Sequence, residues 1–224
     1  RDQPRSRGLG DVYKRQSSHP AGNPGFKLHM VSAWATANGI SLGQLKVNEK
    51  HNEIVAIPLL LEALDLTGCL VTIDAMGCQT DIAKKKIECG ADYVLALKEN
   101  HRNLYNTVKG WFDDLDKKNI DVNKAYYATR YGKYITEEEA HGRHERRECL
   151  VYSCQALTGM LKDWKGLKAV VRISSQRTIR TTGETTVNHR FYITSLGLEP
   201  QRIAEAIRAH CCLLYTSPSP RDRG

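Results

Sequence analysis

Residues 69–98 read CLVTIDAMGCQTDIAKKKIECGADYVLALK, and they decide the fold class. Cys69–Ile73 and Asp92–Leu97 are short apolar runs of the kind found in strands that are buried on both faces. Gln79–Cys89 has helical periodicity and is followed by Gly90, a residue that commonly closes helices. A strand, a helix and a second strand in this order predict a βαβ unit.

The flanking segments extend this unit to an α/β fold. Phe26–Thr36 and Ser41–Val47 are alternating runs on either side of an Asn-Gly pair at 38–39, which predicts an antiparallel hairpin. Asn52–Leu64 and Asn100–Leu115 have apolar residues at helical spacing. Together these patterns predict a mixed sheet with flanking helices.

The second half of the chain changes character and predicts a β-rich insertion over about residues 120–195. A final helix is predicted over Pro200–His210. The candidate strands of the insertion are Tyr126–Tyr134, Glu148–Ser153, Ala169–Ser175 and His189–Thr194.

The two ends of the chain have an unusual relation to each other. Ser6–Gln16 reads SRGLGDVYKRQ and Cys212–Asp222 reads CLLYTSPSPRD. A single DNA sequence encodes the first on one strand and the second, in a shifted frame, on the complementary strand. That DNA resembles a sequencing-library adaptor of the transposon-end kind. We therefore expect residues 1–16 and 212–224 to be translated adaptor, and residues 17–211 to be a native chain truncated at both ends.

Composition restricts the partners and the compartment. The net charge of +8 lies partly in the two terminal segments, so the remainder is mildly basic, which permits a nucleic-acid partner without requiring one. No apolar run approaches the roughly 20 residues of a membrane helix, so no membrane partner is expected. No two cysteines form a CxxC pair, which favours reduced thiols in a reducing cytoplasm over zinc ligands or disulfides.

Asp74 is the strongest candidate for chemistry. It follows a strand predicted to be buried, and α/β proteins bind ligands at the carboxyl ends of such strands. Ala75 and Gly77 leave room beside it. Its position alone leaves a second interpretation open, in which the carboxylate caps the following helix.

Several long, ordered motifs decide between these interpretations, because together they resemble ISAs1-type insertion-sequence transposases, also called H-repeat-associated proteins. The resemblance covers nearly all of residues 26–210. Its motifs are VTIDAMGCQ at 71–79, DYVLALKENH at 92–101, HGRHERR at 141–147, RFYITSL at 190–196 and RIAEAIRAH at 202–210. That family belongs to the RNase H-like DDE superfamily, whose fold begins with three antiparallel strands and continues βαβα.

The resemblance implies DNA cleavage and strand transfer at element ends and target, with no small-molecule substrate. Three acids would hold two Mg²⁺ (or Mn²⁺) ions, one activating the attacking water or 3′-hydroxyl and one stabilising the leaving 3′-oxygen. Asp74 corresponds to the second acid, and is thus the candidate catalytic residue and metal ligand. The first acid and the final glutamate fall outside residues 17–211, so we expect a fold lacking its first strand and last catalytic helix, inactive alone. By the same resemblance the enzyme is bacterial, cytoplasmic and a possible homo-oligomer.

Three basic residues are candidate DNA contacts. Lys98 ends a predicted strand, and His141 and Arg143 lie in the HGRHERR motif, where Arg143 is expected to contact phosphate. The alternatives are a solvated lysine and a polar hairpin with cross-strand charge pairs. Glu99 and Glu205 are possible substitute acids, but neither is assigned catalysis. The lysine run at 84–86 is expected to be solvated.

Two other functions stay open at this point. One is a non-catalytic DNA-binding module on an RNase H-like scaffold. The other is a metal-dependent phosphohydrolase with Asp74 as nucleophile, which usually carries a further acid two residues on, where this sequence has Met76.

Overall fold

The computed structural model describes residues 10–16, 29–35, 40–47, 53–75, 78–118, 129–140, 142–154 and 161–216. They belong to two compact units. The first contains Arg1–Tyr93 and Ala206–Gly224, and the second contains Val94–Glu205. Across the described residues, no helix combines the length and the apolar character that crossing a bilayer requires.

The first unit contains a mixed sheet and two helices. Strand β2 pairs antiparallel with both β1 and β3, and β1 pairs parallel with β4, in the order β3-β2-β1-β4. The predicted hairpin and βαβ pattern are present, and the α/β class with a mixed sheet is confirmed. The elements are β1 (Gly10–Gln16), β2 (His29–Ala35), β3 (Ile40–Val47), α1 (Glu53–Glu62), β4 (Leu70–Ile73) and α2 (Thr80–Glu88).

Strand β1 lies within residues 1–16, the segment predicted to be translated adaptor, so the absence of the native first strand stays a prediction. In the sheet, Gly10–Gln16 lies between β2 and β4. Strand pairing uses main-chain N–H and C=O groups, so an extended segment can pair whatever its side chains are. The ladder with β2 has seven residue pairs, whereas the ladder with β4 has only Gly10–Val71 and Asp11–Thr72. That residues 1–16 are translated adaptor stays a prediction.

Helix α2 shows that the expectation of a solvated lysine run at residues 84–86 is wrong in part. Lys84 is exposed and Lys85 pairs with Glu62, but Lys86 is completely buried. It lies three and four residues after Ala83 and Ile82, so it shares their inward face. The helix ends at Glu88 with Cys89 as its C-cap, and Gly90 follows, as predicted, with φ at 69°.

The second unit contains the region predicted as a β-rich insertion, and its strands are longer than the sequence indicated. The order is β5-β9-β8-β7-β6, and all four pairings are antiparallel. Residues 126–128 of the first predicted strand lie outside the described residues. Its elements are α3 (Arg102–Lys117), β6 (Tyr131–Ala140), β7 (Arg143–Ser153), β8 (Ala169–Ile179) and β9 (Thr185–Thr194), with most of β5 (Asp92–Leu97) and the start of α4 (Pro200–Thr216), whose remaining residues belong to the first unit.

Helix α3 packs on the insertion through aromatic and charged contacts. The Phe112 and Phe191 rings lie 6.0 Å apart, and the Arg172 guanidinium lies 5.2 Å from the centroid of the Phe112 ring. Arg172 is buried and donates hydrogen bonds of 2.5 and 3.0 Å to the two carboxylate oxygens of Asp116. This ion pair therefore joins β8 to α3 between a buried guanidinium and an exposed carboxylate.

Candidate functional site

Asp74 lies where the sequence predicts, directly after β4. The four residues of β4 are all buried, whereas Asp74 is exposed. The N-cap of α2 is Gln79, so Asp74 does not cap that helix, and the capping interpretation is wrong for α2. An exposed carboxylate that follows a buried strand is positioned to meet a ligand at the carboxyl end of the sheet.

A buried thiol, Cys78, lies close both to this carboxylate and to a buried lysine. Burial raises the pKa of the Cys78 thiol to about 12, while the Lys86 charge acts to lower it and the Asp74 charge acts to raise it. Asp74 and Lys86 are therefore both near enough to Cys78 to change its ionisation. A thiol with so high a pKa stays protonated, which makes it a poor metal ligand and a poor nucleophile.

The described residues do not by themselves make a complete metal centre at Asp74. Among them, no three His, Cys, Asp or Glu side chains gather closely enough to hold an ion. Asp11 belongs to the strand beside β4, but its partner in the ladder is Thr72, two residues before Asp74. Two residues of strand correspond to about 7 Å. Asp74 thus contributes one carboxylate where a two-metal site requires several.

Lys98 lies at the end of β5 on a well-defined turn. The N–H of His101 donates to the Lys98 carbonyl at 3.2 Å, and the His101 ring meets the Trp164 ring edge-on at 5.2 Å. The Lys98 side chain is exposed and makes no ion pair with a described residue. Glu99 begins the turn and is exposed, which agrees with its prediction as a surface acid.

Arg143 is the first residue of β7 and is exposed, whereas His141 lies outside the described residues. Gly142, with φ at 72°, precedes Arg143. No carboxylate in the described part of the chain pairs with Arg143. The neighbouring arginines differ, because glutamates hold each of Arg146, Arg147, Arg177 and Arg180. The predicted cross-strand charge pairs therefore exist, but Arg143 takes no part in them.

One cluster was missed by sequence reasoning. Glu145 accepts hydrogen bonds from Arg147 at 3.0 Å and from Arg177 at 3.3 Å. Partial burial acts to raise the pKa of Glu145, but the two arginines outweigh it, and the pKa lies below its ordinary value. The alternation of β7 could have placed Glu145 and Arg147 on one face. Arg177 could not have been added without the register between β7 and β8.

Comparison with known proteins gives a consistent result. Residues 6–211 match the family model described as "Transposase DDE domain". The putative transposase YncI of Escherichia coli O157:H7 is 40% identical over 185 residues, which cover 82% of this chain and 45% of that protein. The H repeat-associated putative transposase YhhI of Escherichia coli K12 is 36% identical over 186 residues, which cover 82% and 47%. The chain thus spans less than half the length of either relative.

A solved structure is also similar to the chain. It is a piggyBac transposase in a synaptic complex with hairpin DNA, and the TM-score is 0.45 at 6% sequence identity. The match covers 91% of this chain and 38% of the other.

Proposed function

This chain belongs to the transposase DDE domain family, and we propose that it is a catalytic-core fragment of an insertion-sequence DNA transposase of the ISAs1 type. The complete enzyme would cleave DNA at the ends of its element and join it to a target, with Mg²⁺ or Mn²⁺ as cofactor. The observation that carries the proposal is the exposure of the Asp74 carboxylate, which directly follows the four buried residues of β4. The motif VTIDAMGCQ around it supports the same assignment.

Asp74 would supply one carboxylate oxygen to the metal ions of the complete enzyme. The other acidic ligands would come from residues that precede and follow 17–211, and residues 1–16 and 212–224 would be translated adaptor. Because a two-metal site requires those other acids, the fragment alone is expected to be inactive. Mg²⁺ favours oxygen ligands and keeps several waters, so acids on separate elements suit it.

Lys98 and Arg143, together with His141, would contact DNA phosphates. Lys98 and Arg143 are both exposed, and neither pairs with a carboxylate among the described residues, so their charges are available to an external anion. Such contacts position DNA without reading its sequence. The enzyme would act in the bacterial cytoplasm, as a homo-oligomer on paired element ends.

The test uses this chain and a restored enzyme that carries the flanking segments from the parent gene. With Mg²⁺ and DNA bearing the element ends, we expect no strand cleavage by the chain of residues 1–224 and clear cleavage by the restored enzyme. Asp74→Asn should abolish the restored activity, by about a thousandfold or more, because one metal ligand is lost. Asp81→Asn is the matched control, since Asp81 is an exposed acid in the first turn of α2.

Two results would contradict the assignment. Restored activity that tolerates Asp74→Asn would remove Asp74 from the site. A restored protein that binds element DNA without ever cleaving it would support the alternative of a non-catalytic DNA-binding module.

A further inference from the structure

One carboxylate of the insertion is held between two arginines. The two oxygens of Glu145 accept from different side chains, Oε2 from Arg147 and Oε1 from Arg177. The first arginine is two residues along the same strand, and the second is the direct partner of Glu145 on β8. Two guanidinium groups converging on one anion form the arrangement that proteins use to bind phosphate.

Arg143 lies on the same face of the sheet. Side chains alternate along a strand, and the ladders of β7 with β6 and β8 run without a bulge, so residues 143, 145 and 147 share one face. On this face, which we call the Arg143 face, Arg143, Arg147 and Arg177 surround Glu145. The opposite face is different, because there Glu137 and Glu148 both hold Arg146, and Glu148 also holds Lys133.

The Arg143 face has more hydrogen-bond donors than its glutamate can use. Each guanidinium carries five N–H donors, and this face has three guanidinium groups for one carboxylate. The Nε of Arg147 has no acceptor among the described residues. Arg177 keeps about half of its side chain exposed, at 51%. An anion with more oxygens than a carboxylate would satisfy this surplus.

We propose that the Arg143 face binds a phosphate of the DNA backbone, and that Glu145 occupies the phosphate position when DNA is absent. The carboxylate keeps Arg147 and Arg177 oriented for an anion, and the phosphate competes with it for their donors. Glu145 therefore reduces the affinity for DNA and keeps the pair of arginines from binding other anions. This inference rests on the proposed function and adds Arg147, Arg177 and Glu145 to it.

The experiment measures binding of a short duplex of mixed sequence to the full chain by fluorescence anisotropy, over a series of salt concentrations. Arg177→Ala should weaken binding by about fivefold and reduce the slope of log affinity against log salt by about one, as loss of one phosphate contact does. Glu145→Gln should strengthen binding by about fivefold, because the competing charge is removed while the side chain keeps its size.

Matched controls come from the opposite face. Glu148→Gln and Arg146→Ala change the same residue types on the opposite face of β7, and both should leave the affinity and the salt slope unchanged. Thermal unfolding of each variant shows whether it is folded. Arg147→Lys gives a second variant, which keeps the charge and loses the forked geometry, and it should also weaken binding.

The outcomes separate this inference from the proposed function. If the chain binds duplex and the variants of both faces behave alike, the Arg143 face is not the contact and the proposed function stands. If Glu145→Gln weakens binding as Arg177→Ala does, the glutamate is not a competitor and the inference is overturned. If neither the chain nor the restored enzyme binds duplex, the proposed function fails as well.

Discussion

Among individual residues, three buried cysteines show how burial controls reactivity. Burial raises the pKa of Cys78, Cys149 and Cys154 to about 12 in each case. The unfolded thiols ionise near their ordinary value of 9.0. The stability that these protonated thiols contribute is therefore complete below about pH 9 and is lost as the pH rises towards 12.

We expect alkylation at pH 8 to follow the same order. Cys69 and Cys89 are partly exposed and should react with iodoacetamide in the native chain, whereas the three buried thiols should react only after denaturation. Peptide mapping by mass spectrometry over a time course measures the rates. Equal rates at all five cysteines in the native chain would show that the thiols are not buried in this way.

The ion pair between Arg172 and Asp116 should contribute measurably to stability. Asp116→Asn leaves the buried guanidinium with a neutral partner, and we expect the free energy of unfolding to fall by about 2 kcal/mol. Asp114→Asn is the control, since among the described residues Asp114 forms an ion pair only with the exposed Lys117, at 3.8 Å, and should change stability by less than about 0.5 kcal/mol. Urea unfolding compares the two. Equal losses would mean that the pair with the buried arginine contributes no more than the exposed pair.

Among the elements, helices α2 and α3 each offer a glycine whose substitution by alanine should change the free energy of unfolding, and the two changes should have opposite signs. Gly90 follows α2 with φ at 69°, so Gly90→Ala should lower the free energy of unfolding by about 1–2 kcal/mol. Gly110 lies inside α3 with open space around it, so Gly110→Ala should raise the free energy of unfolding by about 0.5–1 kcal/mol. An added Cβ at Gly90 would lie 3.6 Å from Thr67, an ordinary contact, so backbone conformation decides the sign. Thermal denaturation of both variants checks it, and a stabilising Gly90→Ala would contradict it.

The bounds of an element could be predicted closely where apolar residues run through its whole length. They could not be predicted where half of a strand is charged. Asp92–Leu97 was predicted to the residue, because its apolar run coincides with the strand. Strand β7 was predicted to begin at Glu148 and begins at Arg143, because its first half is charged on both faces. The burial of Lys86 was also not predicted, because a run of three lysines indicates an exposed surface. A lysine on the inward face of a helix can nevertheless pack its aliphatic stem.

The candidate site likewise contains residues that the sequence could identify and contacts that it could not. Asp74 could be found because a motif and a strand end coincide at it. The pairing of Glu145 with Arg177 could not, because those residues are 32 positions apart and meet only through the register of β7 and β8. A shift of that register by one residue would place them on opposite faces.

For the molecule as a whole, the segment in the first-strand position has a measurable effect on association. Deleting residues 1–16 removes β1, which pairs with seven residues of β2, and exposes edges of β2 and β4. Because unpaired strand edges promote association, we expect the deleted chain to form aggregates at concentrations where the full chain stays monodisperse. Light scattering after size exclusion measures this, with deletion of residues 217–224 as the control. A monodisperse deletion variant would show that β1 is dispensable.

The ladders of β1 have a consequence for how the sequence of this strand can vary. Hydrogen bonding between strands requires a neighbouring segment to be extended and does not depend on which side chains it carries. The strand order β3-β2-β1-β4 around Asp74 and the chemistry of the side chains on β1 can therefore change independently of each other.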